Sequence, residues 1–235
     1  MAVEPGTRNV ITGISSMAMR HVLAELGDAY KQQSGQLVDI VSVGGVDAAR
    51  RLDDGETFDF VVLAADVIEQ LAAGGRVDPG SRTDLARSAV AIAVAAGATR
   101  PDVSSEPAIR EAVLRARSIG YSTGPSGAHI VVLFERWGIA DAIAPRIVQA
   151  SPGLPVGMLV ARGDVELGFQ QLSELMHLPG IEVIGPLPHD IQVLTVFSSA
   201  ICTASNCPAT AEAFLSFLAS PDADAAKRRH GMEPA

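Results

Sequence analysis

Four times along this chain a run of aliphatic residues ends in a short turn rich in glycine or serine and gives way to helical spacing. The turns are Gly13–Ser16, Gly44–Val46, Ser122–Gly127 and Val156–Gly157. The pattern predicts a first strand at Arg8–Thr12. A helix capped by Ser15 or Ser16 follows, with Met19, Val22, Leu23 and Leu26 on one face and Gly35 as its stop. A second strand at Leu37–Val43, a short helix at Asp47–Leu52, a third strand at Phe58–Ala64 and a helix at Asp66–Ala73 complete the series. Strands joined through helices pair in parallel, so this alternation commits the N-terminal part of the chain to a parallel sheet with crossover helices.

The same reading continues beyond a Gly/Pro/Asp-rich loop. Ala86–Ala96 is a long apolar strand, Gly97–Glu106 a breaker, and a helix starts at Ser105 or Glu106 with Pro107 in its first turn. Further strands are expected at Ser118–Tyr121, Ile147–Ala150, Val165–Phe169, Ile181–Ile184 and Gln192–Ser199. Helices are expected from Ser126 to Gly138, at Ile139–Arg146, after Val156–Gly157, at Gln170–Met176, at Pro208–Leu218 and at Asp222–His230. The pattern suggests two α/β lobes, residues 1–97 with 189–235 and an inserted 98–188. Each lobe would be a mixed, mostly parallel sheet flanked by helices, with a cleft between lobes that closes on a hinge made by the two long strands. Hydrophobic residues make up 48% and aromatic residues only 4%, so the cores are packed from small aliphatics.

The turn in SIGYSTGPSGAH, Ser118–His129, carries the clearest chemistry. A strand that delivers small polar residues to a helix start leaves backbone N–H groups pointing outward, and the helix dipole favours negative charge there. In open α/β sheets ligands gather at the carboxyl ends of the strands. Helix starts from two lobes converging on one ligand would bind a small anion through N–H groups and hydroxyls, with few formal charges. A net charge of −9 and a pI near 5.0 argue against a nucleic-acid partner. No apolar run reaches the length of a membrane span. No phosphate-binding G-K-[ST] turn, GxGxxG turn or G-x-S-x-G elbow occurs, and neither a cofactor nor a metal is expected. MAVEPGTRNVITG shows no basic segment followed by an apolar one, which places the chain in the cytoplasm if that start is native and in the periplasm if a leader preceded it. Cys202 and Cys207 read as two unrelated thiols, with a short-loop disulfide open if the chain is exported.

Several longer stretches carry a resemblance. They are DLARSAVAIAVAAGATRPDVSS at 84–105, SIGYSTGPSGAH at 118–129, VARGDVELGFQQLSEL at 160–175, GPLP at 185–188 and FLASPDADAAKRRHGMEP at 217–234. Together and in this order they resemble the type II periplasmic-binding-protein fold, and within it the bacterial solute-binding proteins of the molybdate-binding kind. DLARS and QQLSEL are closer to a branch that includes aconitate isomerase. The resemblance implies a small oxyanion or a di- or tricarboxylate held between the lobes of a monomer that works with the membrane component of an ABC transporter. The alternative it implies is a cofactor-free isomerase of an unsaturated polycarboxylate. Carried onto this chain, the contacts are Ser15, Ser16 and Gly45 in the first lobe and Ser122, Ser126, Gly127, Val156 and Gly157 in the second.

Two further residues join the ligand-binding set. Arg87, at the start of the long strand, is either a clamp on a carboxylate or one half of a surface salt bridge. Tyr121 offers a hydroxyl to a ligand or anchors the core of its lobe. His129, His21 and Tyr121 are the nearby candidates for a base, and no catalytic residue is assigned. Glu174, with Gln170 and Gln171, faces the hinge in this reading, where isolated carboxylates are more often structural.

Overall fold

The computed structural model describes residues 10–235, beginning at strand β1 (Val10–Ser16). Arg8 and Asn9 of the expected first strand lie outside the described residues. A 3-10 turn at Met17–Met19 leads into α1 (Arg20–Ser34), then β2 (Leu37–Val43), α2 (Gly45–Asp53), β3 (Phe60–Ala64) and α3 (Ala65–Ala73). Strand β1 pairs in parallel with both β2 and β3, as the alternation requires. Gly35 ends α1 at φ 76°, a left-handed conformation that glycine adopts without strain.

The expected turn at Gly13–Ser16 is corrected: all four residues belong to β1, and the turn begins at Met17. Gly13 serves packing instead. A Cβ there would come within 2.2 Å of the Phe60 ring, so only glycine lets Phe60 of the neighbouring strand fill that space. Phe60 in turn packs on Phe214, 5.3 Å between ring centroids, in a core that includes Ile11, Leu23 and Leu26.

From β4 (Thr83–Ala95) the chain runs through α4 (Glu106–Arg115), β5 (Ile119–Tyr121), α5 (Pro125–Arg136), α6 (Ala140–Ile143), β6 (Ile147–Gln149) and α7 (Val156–Arg162). It continues through β7 (Leu167–Gln171), α8 (Leu172–Leu175), β8 (Ile181–Pro186) and β9 (Leu194–Ile201), and ends in α9 (Pro208–Ala219), α10 (Asp224–Arg229) and β10 (Met232–Pro234). The chain divides into two compact units. One comprises the residues up to Ala86 with Val196–Ala235, the other Arg87–Thr195. Both boundaries fall inside strands, β4 and β9.

In the first unit the strands lie in the order β2-β1-β3-β9-β4, with β9 antiparallel to β3 and β10 beside β4. In the second, β5 lies between β6 and β7 and is parallel to both, while β7 and β8 run antiparallel to β4. Val90–Val94 of β4 are buried on both faces, which explains the unbroken apolar run in the sequence.

Two other boundaries move for visible reasons. The expected helix at Gln170–Met176 shrinks to α8, because antiparallel pairing with β4 (Val90↔Gln171, Ala91↔Gln170) holds both glutamines in β7. The strand expected from Gln192 begins at Leu194. The Gln192 side chain instead occupies the backbone of Val90, accepting from its N–H at 2.9 Å and donating to its C=O at 3.0 Å.

Cys202 is a free thiol. Cys202 is buried, which pushes its pKa up to about 12, with the charge of Asp59 adding to the effect. Cys207 donates from Sγ to Asp59 Oδ1 at 3.1 Å. Asp59, 2% exposed, also accepts from Thr12 N–H, Thr12 Oγ1 and Ser205 Oγ. Burial raises its pKa, and these hydrogen bonds outweigh that and hold it below the usual value.

Candidate functional site

In the second unit the parallel strands β5, β6 and β7 end at one edge, since Tyr121 pairs with both Gln149 and Phe169. The turn after β5 places Ser122 and Ser126 with their hydroxyl oxygens 3.1 Å apart, and Gly124 N–H donates to Ser122 Oγ at 3.3 Å. Pro125 opens α5 and has no N–H to offer, so the first amides of the helix are those of Ser126 and Gly127, which have no acceptor within it. No acidic residue occupies its first turn. Gly127 cannot be replaced without moving backbone: a Cβ would sit 1.7 Å from the carbonyl oxygen of Ser122. The arrangement presents two hydroxyls and two amide donors at the positive end of a twelve-residue helix, an environment suited to an anion.

The start of α7 is organised differently. Val156 and Gly157 donate their N–H groups to Gln170 Oε1 at 2.8 and 3.4 Å. Gln170 passes the interaction on, donating from Nε2 to Glu174 Oε1 at 2.9 Å. Glu174 is partly accessible, yet burial pushes its pKa up to about 7 against the opposing effect of the Gln170 hydrogen bond. A carboxyl group with such a value exchanges protons near neutral pH. The next residue of β7, Gln171, donates from Nε2 to Thr195 Oγ1 at 2.7 Å.

The first unit has its own strand-end edge. The β1–β2 register pairs Ser15 with Ser42, whose hydroxyl oxygens lie 2.9 Å apart, and Ser16 with Val43. Ser15 is fully buried. Ser16 caps the 3-10 turn, its Oγ accepting from Ala18 N–H at 3.3 Å. Gly45 opens α2, and nothing lies within 4 Å of where its Cβ would stand. Ser15, Ser16 and Gly45 are therefore brought to one edge by the pairing of two adjacent strands.

Arg87 is exposed in β4 and has no hydrogen-bond or ion-pair partner among the described residues. Tyr121 is half-buried, its ring edge-on to Phe134 at 6.5 Å. His129 donates from Nε2 to the carbonyl of Ile191 at 2.8 Å, the only role that nitrogen can take toward a carbonyl. The polar group that sequence reasoning left in the background comprises Gln170, Gln171 and Glu174, with Ser88 and Ser173 added by the structure. The signal was present in VELGFQQ: two amides end a strand whose other residues pack in the core.

A family model described as bacterial extracellular solute-binding protein matches residues 11–233. The chain belongs to this family. An aconitate isomerase from Pseudomonas sp is 36% identical over 240 residues, covering 100% of this chain and 90% of the relative. The molybdate-binding protein ModA of Escherichia coli (strain K12) is 22% identical, with 94% of this chain and 88% of ModA covered. Among solved structures, the periplasmic molybdate-binding protein of Azotobacter vinelandii superposes with a TM-score of 0.79 at 22% identity, covering 94% and 98% of the two chains. The α/β fold with its two units is thus the type II periplasmic-binding-protein fold.

Proposed function

We propose that this solute-binding protein takes a small organic anion, a di- or tricarboxylate, at the start of α5 in its second unit. Ser122, Ser126 and Gly127 supply hydroxyl and N–H donors there, and Ser15, Ser16 and Gly45 are the candidate contacts that the first unit presents at its own strand-end edge. Arg87 offers a guanidinium that no carboxylate among the described residues occupies. The observation that carries this reading is the start of α5, where two amides unclaimed by the helix and two paired hydroxyls meet with no acidic neighbour in the first turn. Val156 and Gly157 contribute shape, and their N–H groups reach the ligand only if Gln170 swings away. A carboxylate suits this site because its charge spreads over two oxygens that bidentate donors can share.

A second reading, isomerisation of an unsaturated polycarboxylate, is favoured by Glu174. Its carboxylate would remove an allylic C–H proton, the electron pair would shift into a dienolate held by the amide donors, and the same proton would return to the other end of the allylic system. A pKa of about 7 suits a group that both takes and returns a proton. The identity to an aconitate isomerase supports the same reading. The test is thermal-shift screening with molybdate, sulfate, citrate and the aconitates, followed by proton NMR of any bound aconitate in deuterated water. Stabilisation by the carboxylates is the expected result. Exchange or conversion of the aconitate establishes the isomerase, and its absence restricts the protein to binding. Stabilisation by molybdate alone would overturn the carboxylate reading.

A further inference from the structure

Gln171 carries a polar atom that the fold leaves without a partner. It is the last residue of β7, two beyond Phe169, which pairs with Tyr121. It therefore stands at the same strand-end edge as the turn from Ser122 to Ser126. The side chain is 2% exposed. Its Nε2 donates to Thr195 Oγ1, and its Oε1 is buried with no hydrogen-bond partner among the described residues. In the register Val90↔Gln171, Ser88 stands two residues before Val90, and Ser173 stands two beyond Gln171, within α8. Those hydroxyl oxygens lie 3.4 Å apart and are buried.

An amide oxygen accepts hydrogen bonds and never donates them, and burial without a donor is unfavourable. Whatever completes this atom brings an O–H or N–H. Molybdate and sulfate, fully ionised at neutral pH, carry only acceptors and would set oxygen against oxygen. An organic acid with a hydroxyl or a protonated carboxyl brings the missing donor. We propose that Gln171 is the specificity-determining residue of the site, its Oε1 accepting from an O–H of a bound polycarboxylate and so selecting against fully ionised inorganic oxyanions. This rests on the reading that the strand-end edge of the second unit binds the anion.

Isothermal titration calorimetry on the full chain tests it with citrate, tricarballylate and molybdate at pH 5.5 and pH 8. Citrate and tricarballylate share three carboxylates and differ by one hydroxyl. If a hydroxyl is the donor, citrate binds about tenfold or more tightly than tricarballylate at both pH values. If a protonated carboxyl is the donor, tricarballylate weakens about tenfold or more between pH 5.5 and 8. Either discrimination collapses to within about threefold in Gln171→Leu, the size expected for loss of one buried hydrogen bond. The comparison of ligands on the unaltered protein stands even if the variant folds poorly. Polycarboxylate binding with no such discrimination overturns the role of Gln171 alone. Molybdate binding most tightly also overturns it, since the amide N–H would then face the ligand. Failure of all three anions to bind overturns the anion reading itself.

Discussion

Glu174→Gln removes a buried charge while keeping an oxygen to accept from Gln170 Nε2, so it isolates the effect of ionisation. Burial lifts the Glu174 pKa from 4.5 to about 7, a difference that corresponds to about 3 kcal/mol. Because part of the side chain is accessible, this is the upper end of the effect. Below pH 4.5 the group is neutral in the folded and the unfolded chain alike and costs nothing. Between pH 4.5 and about 7 the unfolded chain ionises while the folded chain stays protonated, and stability falls by about 1.4 kcal/mol per pH unit. Above about 7 both states are ionised and the deficit is constant. Glutamine is neutral throughout. Urea denaturation of both proteins from pH 4.5 to 8 reads the difference directly, since every other titrating group cancels between them. The variant is expected to gain on the parent as pH rises, by up to about 3 kcal/mol at pH 8, with equal m-values. A separation that does not change with pH would refute the argument that burial controls Glu174, and a separation that grows in the parent's favour would show that its charged form is stabilised instead.

Two further outcomes follow from packing and hydrogen bonding. Gly127→Ala drives a Cβ into the Ser122 carbonyl, so it should lower stability by about 1–3 kcal/mol and weaken citrate binding at least about tenfold; unchanged melting and unchanged calorimetric affinity would remove the α5 turn from the site. Asp59→Asn should cost about 1.5–3 kcal/mol at pH 7, because charge-assisted bonds from Thr12, Ser205 and Cys207 are lost or weakened. The Asp59 pKa is depressed in the fold, so its contribution is present above pH 3.8 and is lost as pH falls through the lower folded value. The penalty of the asparagine should therefore shrink in denaturation curves at pH 2.5, and a penalty equal at both pH values would refute the assignment.

Much of the architecture follows from local pattern. The alternation of apolar runs with amphipathic helices is a short-range property, and it places β2 at Leu37–Val43, the stop at Gly35 and the beginning of α4 at Ser105–Glu106, cap and first residue, without reference to anything distant. The same holds for the chemistry of SIGYSTGPSGAH, where Ser122, Ser126 and Gly127 meet because a short turn after β5 runs directly into the first turn of α5. Glycine was ambiguous at that level. Gly13 and Gly127 look alike in sequence, yet one makes room for a phenylalanine on the next strand and the other for a carbonyl in its own turn. Only the tertiary pairing distinguishes these uses. The glutamines of β7 show the same division. Their helical spacing with Leu172 and Glu174 predicts one continuous helix, and pairing with Val90 and Ala91 of β4, far earlier in the chain, holds them extended. That pairing decides which amide caps α7, which one reaches Thr195, and why Glu174 is buried enough to titrate near pH 7. Local sequence sets the elements and their polar ends; long-range register sets which polar atoms are satisfied by the protein and which are left for a ligand, because hydrogen bonds and burial depend on neighbours that the chain brings from far away.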